Sequence, residues 1–170
     1  KGLVEESMGE FTHFTADGAS RMVDVGDKAV TRRMARAEGF VLMQPETLRS
    51  LQERKFGKGD VMEVARLAGI MATKRTSDLI PLCHLLPLER VNVDFSFSGP
   101  GVRVEVSVAT EARTGVEMEA LTAVSITCLT IYDMCKSVDR EMEINTIRLL
   151  EKSGGRSGHF LRQPSSELPD

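Results

Sequence analysis

An α+β fold, with helices laid on one face of an antiparallel sheet, is what this sequence predicts, and two stretches carry the prediction. Residues 90–98 alternate through Val91, Val93, Phe95 and Phe97. Residues 102–109 alternate again through Val102, Val104, Val106 and Val108, and Gly99-Pro100-Gly101 turns the chain between them. That is a hairpin with one buried face. The second stretch, Thr114–Lys136, has charges only near its ends, around the thirteen uncharged residues Ala120–Tyr132. A helix this bland in its middle is buried nearly all round.

The other elements follow in order. Residues 1–10 are polar and read as a flexible N-terminus, with Met8 taken as the natural start and residues 1–7 as a remnant; a single domain spans 11–160, and 161–170 is a flexible tail. Met22–Val25 and Ala35–Met43 have strand character. Gln44-Pro45-Glu46 opens a helix, because proline suits the first helical position. That helix stops at Phe56-Gly57-Lys58-Gly59, and Asp60 caps the next one over roughly residues 61–74. Lys74–Leu88, holding Pro81 and Pro87, is a loop, and Glu143–Glu151 is the last strand, ahead of the glycine-rich KSGGRSGHF. Strand, helices, strand, strand, helix, strand is the ferredoxin-like split βαβ order. It leaves one sheet face bare, and a bare face usually meets another subunit.

Composition sets outer limits. The 170 residues are 41% apolar, enough for one globular core. No apolar run reaches the length of a membrane span, and the first ten residues lack the apolar centre of a signal peptide. Cys83, Cys128 and Cys135 are odd in number and read as reduced core residues of a cytosolic protein. No CxxC or HExxH spacing offers a metal site. The net charge of −3, from 22 basic and 25 acidic residues, argues against a general nucleic-acid or membrane surface. Yet Lys58, Lys74, Arg75, Lys136, Lys152 and Arg156 all fall in or beside turns and helix ends. If they converge, the site they form is cationic and suits a small anion.

Charges at the ends of a buried helix are costly unless paired or used, which singles out Glu119, Asp133 and Lys136. Asp133 and Lys136, three apart, share a helix face. A surface ion pair would explain them, but a lysine beside a carboxylate at a buried end is a way to tune a proton donor, and that reading is preferred. Glu117 and Glu119 suit the positive end of the helix dipole. Glu119 also shares the phase of Asp133, since fourteen residues make about four turns. His84 is either a half-buried structural histidine or an imidazole facing a ligand. Cys83 beside it lacks further ligands to complete a metal site. Lys58, between two glycines and just before a helix, can hold a phosphate together with backbone N–H groups, although a solvated turn explains it more simply and no Walker spacing is present. The same alternatives apply to Lys152 and Arg156. Lys74 and Arg75 could simply complement a helix C-terminus.

Taken together, MVDV (Met22–Val25), KGD (Lys58–Asp60), LIPLCH (Leu79–His84), TGVEMEALTA (Thr114–Ala123), TIYDMCK (Thr130–Lys136) and KSGG (Lys152–Gly155) resemble the molybdenum cofactor biosynthesis protein C family, the cyclic pyranopterin monophosphate synthases. The resemblance runs from about Phe11 to Phe160. It departs at Leu85, where the family often has proline, and at Arg156, where it often has lysine. It implies a ferredoxin-like subunit in a hexamer built as a trimer of dimers, in the cytoplasm. It implies a lyase that converts a GTP derivative, cyclised between C8 and C3′, into the pyranopterin and closes a cyclic phosphate with loss of pyrophosphate. It implies no resident cofactor, with magnesium on the substrate triphosphate left open. Position by position, the resemblance makes Asp133, Lys136 and Lys58 catalytic. Leu82, Cys83 and His84 match one substrate-contacting segment, and Met118 with Glu119 another. Arg33, Lys74 and Lys152 match basic positions near the triphosphate or purine.

The chemistry of the residue types agrees. Opening a purine-derived ring needs proton donation to nitrogen and activation of water. Internal attack on an α-phosphate needs fixed cations around the developing charge. Three rival readings stand beside this one. A non-catalytic nucleotide or pterin binder would hold the ligand but release no pyrophosphate. An RNA-binding domain of this fold would show exposed aromatics in an RNP pattern, whereas Phe95 and Phe97 share a face with Val91 and Val93 and read as core. An inactive assembly subunit fits poorly with retention of Lys58, Asp133 and Lys136.

Overall fold

The computed structural model describes residues 13–53 and 60–163. Their order is β1 (Thr31–Leu42), α1 (Pro45–Gln52), α2 (Val61–Thr73), α3 (Thr76–Leu79), β2 (Leu88–Ser98), β3 (Gly101–Ala112), α4 (Glu117–Cys135), β4 (Glu143–Ser153) and β5 (Phe160–Leu161). The strands form one antiparallel sheet in the order β2-β3-β1-β4-β5, with α2 and α4 packed on it, so the α+β class holds.

The hairpin forms as its alternation requires. Val91 pairs with Val108, Val93 with Val106 and Phe95 with Val104, so apolar side chains of both strands share one face. Val102, Val104, Val106 and Val108 are at most 1% exposed. Each contributes roughly 1.5–3 kcal/mol by leaving water. On β1, Ala35, Ala37 and Val41 are fully buried. Gly39 completes that face, because a Cβ there would come within 2.5 Å of Val124 Cγ1 and 3.0 Å of Cys128 Sγ. This close approach lets α4 lie directly on the middle strand. α2 starts where Asp60 accepts hydrogen bonds from the Met62 and Glu63 amides at 3.0 and 3.3 Å. It packs on α4, and Arg66 lies 5.0 Å from the centre of the Phe95 ring.

The opposite sheet face is not apolar. Arg148, Glu38, Arg103, Glu105, Arg36 and Glu151 form a continuous ladder of ion pairs with N–O distances of 2.6–3.1 Å. Glu38, at 3% exposure, is held between Arg103 and Arg148. A buried carboxylate survives only with such partners. The helical layer, by contrast, leaves Val64, Leu67 and Met71 of α2 and Leu129 of α4 exposed.

Several boundaries differ from expectation. Met22–Val25 is no strand: among the described residues it has no ladder partner. β1 begins at Thr31 because β3 runs to Ala112 and pairs with it there. The expected loop after Lys74 holds one helical turn, α3. β5 was not anticipated, since two residues carry no periodicity. α1 ends at Gln52, and the Phe56–Gly59 turn lies outside the described residues, as do the first twelve. By length and composition alone α4 could cross a membrane, with 19 residues and a mean hydropathy of 1.2; here its apolar side packs on the sheet and α2. Phe97 is 42% exposed, and Phe95, half-buried, packs against the core without being part of it.

Cys128 is fully buried between α4 and β1, and burial pushes its thiol up to about 12. It has no route to thiolate chemistry at neutral pH. Cys128→Ala is expected to cost about 1 kcal/mol through a small cavity and to leave turnover unchanged. Thermal unfolding and steady-state assays check this, and stoichiometric metal lost on substitution would contradict it.

Candidate active site

Two adjoining cavities open where the end of β3, the start of α4 and the glycine-rich loop after β4 come together. They share Lys28, Thr114, Gly115 and Glu117 as walls.

The larger cavity, about 630 Å³, is cationic: Lys28, Arg33, Arg113, Lys152 and Arg156 face it against Asp27 and Glu117. Arg33 is 9% exposed and is held from β1 by donating to the Ala112 and Arg113 carbonyls at 3.3 and 3.2 Å. Lys152, at the end of β4, donates to the Ser157 carbonyl at 3.2 Å and to its hydroxyl, which folds the loop back over its own lysine. Gly155 makes the fit possible. Its φ is +75°, and a Cβ there would overlap Arg33 Nη1. Only glycine combines that backbone with so close an approach. The expected convergence of cations is therefore partial. Lys152 and Arg156 converge, joined by Arg33, Arg113 and Lys28. Lys74, exposed at the end of α2, lines neither cavity, and Arg75 pairs with Asp78 at 3.2 Å.

The smaller cavity, about 280 Å³, is walled by Leu82, Cys83, His84, Met118 and Glu119, with Val23 and Val25 across from them. The two segments expected to contact substrate thus meet in space. Glu119 is 4% exposed. Its burial raises the carboxyl to about 7; a backbone hydrogen bond opposes this and the charge of Glu117 adds to it. Burial raises the Cys83 thiol as well, and Glu119 raises it further. Near neutrality Glu119 therefore holds a proton part of the time.

That shift fixes a pH dependence. Between 4.5 and about 7 the folded chain keeps a proton on Glu119 that the unfolded chain has released. Stability falls as pH rises through this window, and the loss is complete above it. Glu119→Gln, neutral at every pH, is expected to flatten that decline. Its thermal midpoint should gain on the wild type at pH 8 and not at pH 5. An equal gain at both would mean that Glu119 is ionised throughout.

Asp133 and Lys136 do form a pair, Lys136 Nζ donating to Asp133 Oδ1 at 2.6 Å. Their side chains are 66% and 56% exposed. The expectation that these charges sit at a buried helix end is corrected: α4 is buried through Ile131 and Cys135 on one side, and Asp133 and Lys136 lie on its exposed side. They also line neither cavity. Glu119 and Asp133 are separated by four turns of one helix, roughly 21 Å. Lys58 lies outside the described residues. Among the described residues, no three His, Cys, Asp or Glu side chains cluster as metal ligands. Lys28 and Arg113 were not picked out from the sequence, where neither has a special neighbour.

Comparison with known proteins bears on the same residues. Residues 22–155 match the family described as the MoaC family. A protein of Methylobacterium sp. (strain 4-46), named cyclic pyranopterin monophosphate synthase, is 58% identical over 160 residues, covering 93% of this chain and all of that protein. One of the same name from Chloroflexus aurantiacus (strain ATCC 29366 / DSM 635 / J-10-fl) is 57% identical over 94% of this chain and 99% of its own length. Cyclic pyranopterin monophosphate synthase 3 of Mycobacterium tuberculosis (strain CDC 1551 / Oshkosh) is 57% identical over 95% of this chain and 92% of its own.

Proposed function

Given that the chain belongs to the MoaC family, we propose that it is a lyase of molybdenum cofactor biosynthesis that converts the 3′,8-cyclised dihydro-GTP intermediate to cyclic pyranopterin monophosphate and pyrophosphate. The observation that carries this reading is the pair of adjoining cavities, one cationic and one holding His84 and Glu119. An elongated anion fits such a pair. The triphosphate lies among Arg33, Lys152 and Arg156, and the base and ribose lie against Leu82–His84, Met118 and Glu119. Glu119 and His84 supply and take up protons as the purine-derived ring opens and re-forms. A sugar hydroxyl then attacks the α-phosphorus, and the bond to the bridging oxygen breaks, releasing pyrophosphate. The fixed cations meet the charge that develops there.

Asp133 and Lys136 enter the same chemistry from a second subunit. From within one chain they lie too far from Glu119 to reach one reacting centre. The exposed apolar side chains of α2 and α4 favour burial against another copy. We place the enzyme as a cytosolic, ferredoxin-like homo-oligomer, a hexamer of three dimers, with Lys74 also reaching the ligand only in that assembly, and we assign Lys58 a catalytic part. Magnesium, if used, travels with the triphosphate. The deciding experiment incubates the protein with the cyclised intermediate and follows pyrophosphate and the pterin. Binding without pyrophosphate release would favour the non-catalytic binder instead.

A further inference from the structure

The segment from Met22 to Lys28 lies against both cavities. Val23 and Val25 face the smaller one, Asp27 faces the larger, and Lys28 faces both. No other lysine or arginine among the described residues lines both. The segment has little to hold it. Gly26 N donates to Asp24 Oδ1 at 2.8 Å and Lys28 N to the Val25 carbonyl at 3.0 Å, both bonds within the turn itself. The tie to the rest of the fold is Arg113, one residue beyond β3, whose Nη1 donates to the Gly26 carbonyl at 2.5 Å. Arg113 is itself fixed, since its carbonyl accepts from Arg33 Nη2. Among the described residues no carboxylate pairs with the Lys28 ammonium. It is a cation held at the junction with its charge unspent.

We propose that Lys28 binds the phosphate nearest the ribose, and that Arg113 is its positioning residue, acting through the Gly26 carbonyl. The proposal rests on the nucleotide-derived substrate argued above. A ligand with its phosphates in one cavity and its nucleoside in the other must pass the junction at its first phosphate. A lysine there meets that group as a point charge. Arg113 fixes the turn that carries it, so its contribution at the first phosphate is expressed through Lys28, apart from its own charge on the wall of the larger cavity.

The test uses GMP and GTP as unreactive probes, with binding measured by calorimetry on the whole protein. Lys28→Ala should weaken both by the same factor, about tenfold or more, the scale of one charge-assisted hydrogen bond. Lys28→Arg should retain most of the affinity. Arg113→Ala should weaken GMP several-fold in the wild-type background and not at all when combined with Lys28→Ala, whereas GTP, whose outer phosphates meet the Arg113 charge on the wall of the larger cavity, should keep a residual loss. Unchanged binding by Lys28→Ala, a loss confined to GTP, or no binding of either nucleotide by the wild type would overturn the role of Lys28. Additive losses of GMP binding in the double variant would overturn that of Arg113. Neither residue lies in the core, and thermal midpoints confirm that the variants fold; a Lys28→Gln variant repeats the measurement with the stem retained. Pyrophosphate release from the cyclised intermediate is scored separately. A wild type that binds both nucleotides but releases none would end the synthase reading and leave the Lys28 result standing.

Discussion

Lys136→Ala is expected to fold as the wild type does and to lose at least about a hundredfold in turnover, the usual scale for removing a general acid or base. The two halves of that statement have separate grounds. The Lys136–Asp133 pair is short, at 2.6 Å, but both side chains are more than half exposed. An exposed pair contributes about 0–1 kcal/mol, so the fold does not depend on it. α4 is held by Ala120, Ala123, Val124, Cys128, Ile131 and Cys135, all fully buried, and neither Lys136 nor Asp133 is among the buried side chains. A large loss of turnover with an unchanged thermal midpoint would then be chemical. Pyrophosphate release and thermal unfolding on the same preparation decide it. Near-normal product formation would remove Lys136 from the reaction.

Mixing Lys136→Ala with His84→Ala is expected to restore activity that neither variant has alone. His84 belongs to the cavity at the start of α4, and Lys136 to the other end of that helix. If a two-fold dimer sets the start of one α4 beside the end of the other, each site takes His84 from one chain and Lys136 from its partner. A mixed dimer then has one site with both lesions and one with neither. Equal amounts paired at random give about a quarter of the wild-type sites. Subunit exchange is followed independently, for example with differently tagged chains. Full exchange with no recovery would mean that each chain builds its own site, and that the 21 Å or so along α4 is spanned by the ligand instead.

The hairpin and the long helix were legible because their signals are local. Alternation over Val91–Phe97 and Val102–Val108, and an uncharged run in Ala120–Tyr132, need no partner to be read. Met22–Val25 alternates too, yet it is no strand, because alternation does not say whether a strand edge lies within reach to pair with. β5 exists only because the chain returns from the glycine loop to pair Glu151 with Leu161 and Lys152 with Phe160. The bare sheet face was foreseen. That it would be closed by a charged ladder around Glu38 was not, since its members come from three strands and no spacing links them.

The candidate site divides the same way. Its residue types and the family were written in contiguous blocks, LIPLCH, TGVEMEALTA, TIYDMCK and KSGG, each a few residues long and readable by itself. The burial of Glu119 also followed from its place at the start of an apolar helix, whereas the exposure of Lys136 did not, because a helix supported to its last residue, Cys135, still turns one side to solvent there. Only the tertiary structure made Lys28 and Arg113 part of the site. In the sequence they are two ordinary basic residues 85 apart. In the fold, the end of β3 ties the turn at Gly26 and sets one of them at the meeting point of two cavities. The sequence by itself determined the α+β class, the family and most of the chemistry, because those are carried by local periodicity and short motifs. Which of those residues face one ligand was decided by long-range packing, where α4 places its two charged ends about 21 Å apart and the loops around its start close on one another.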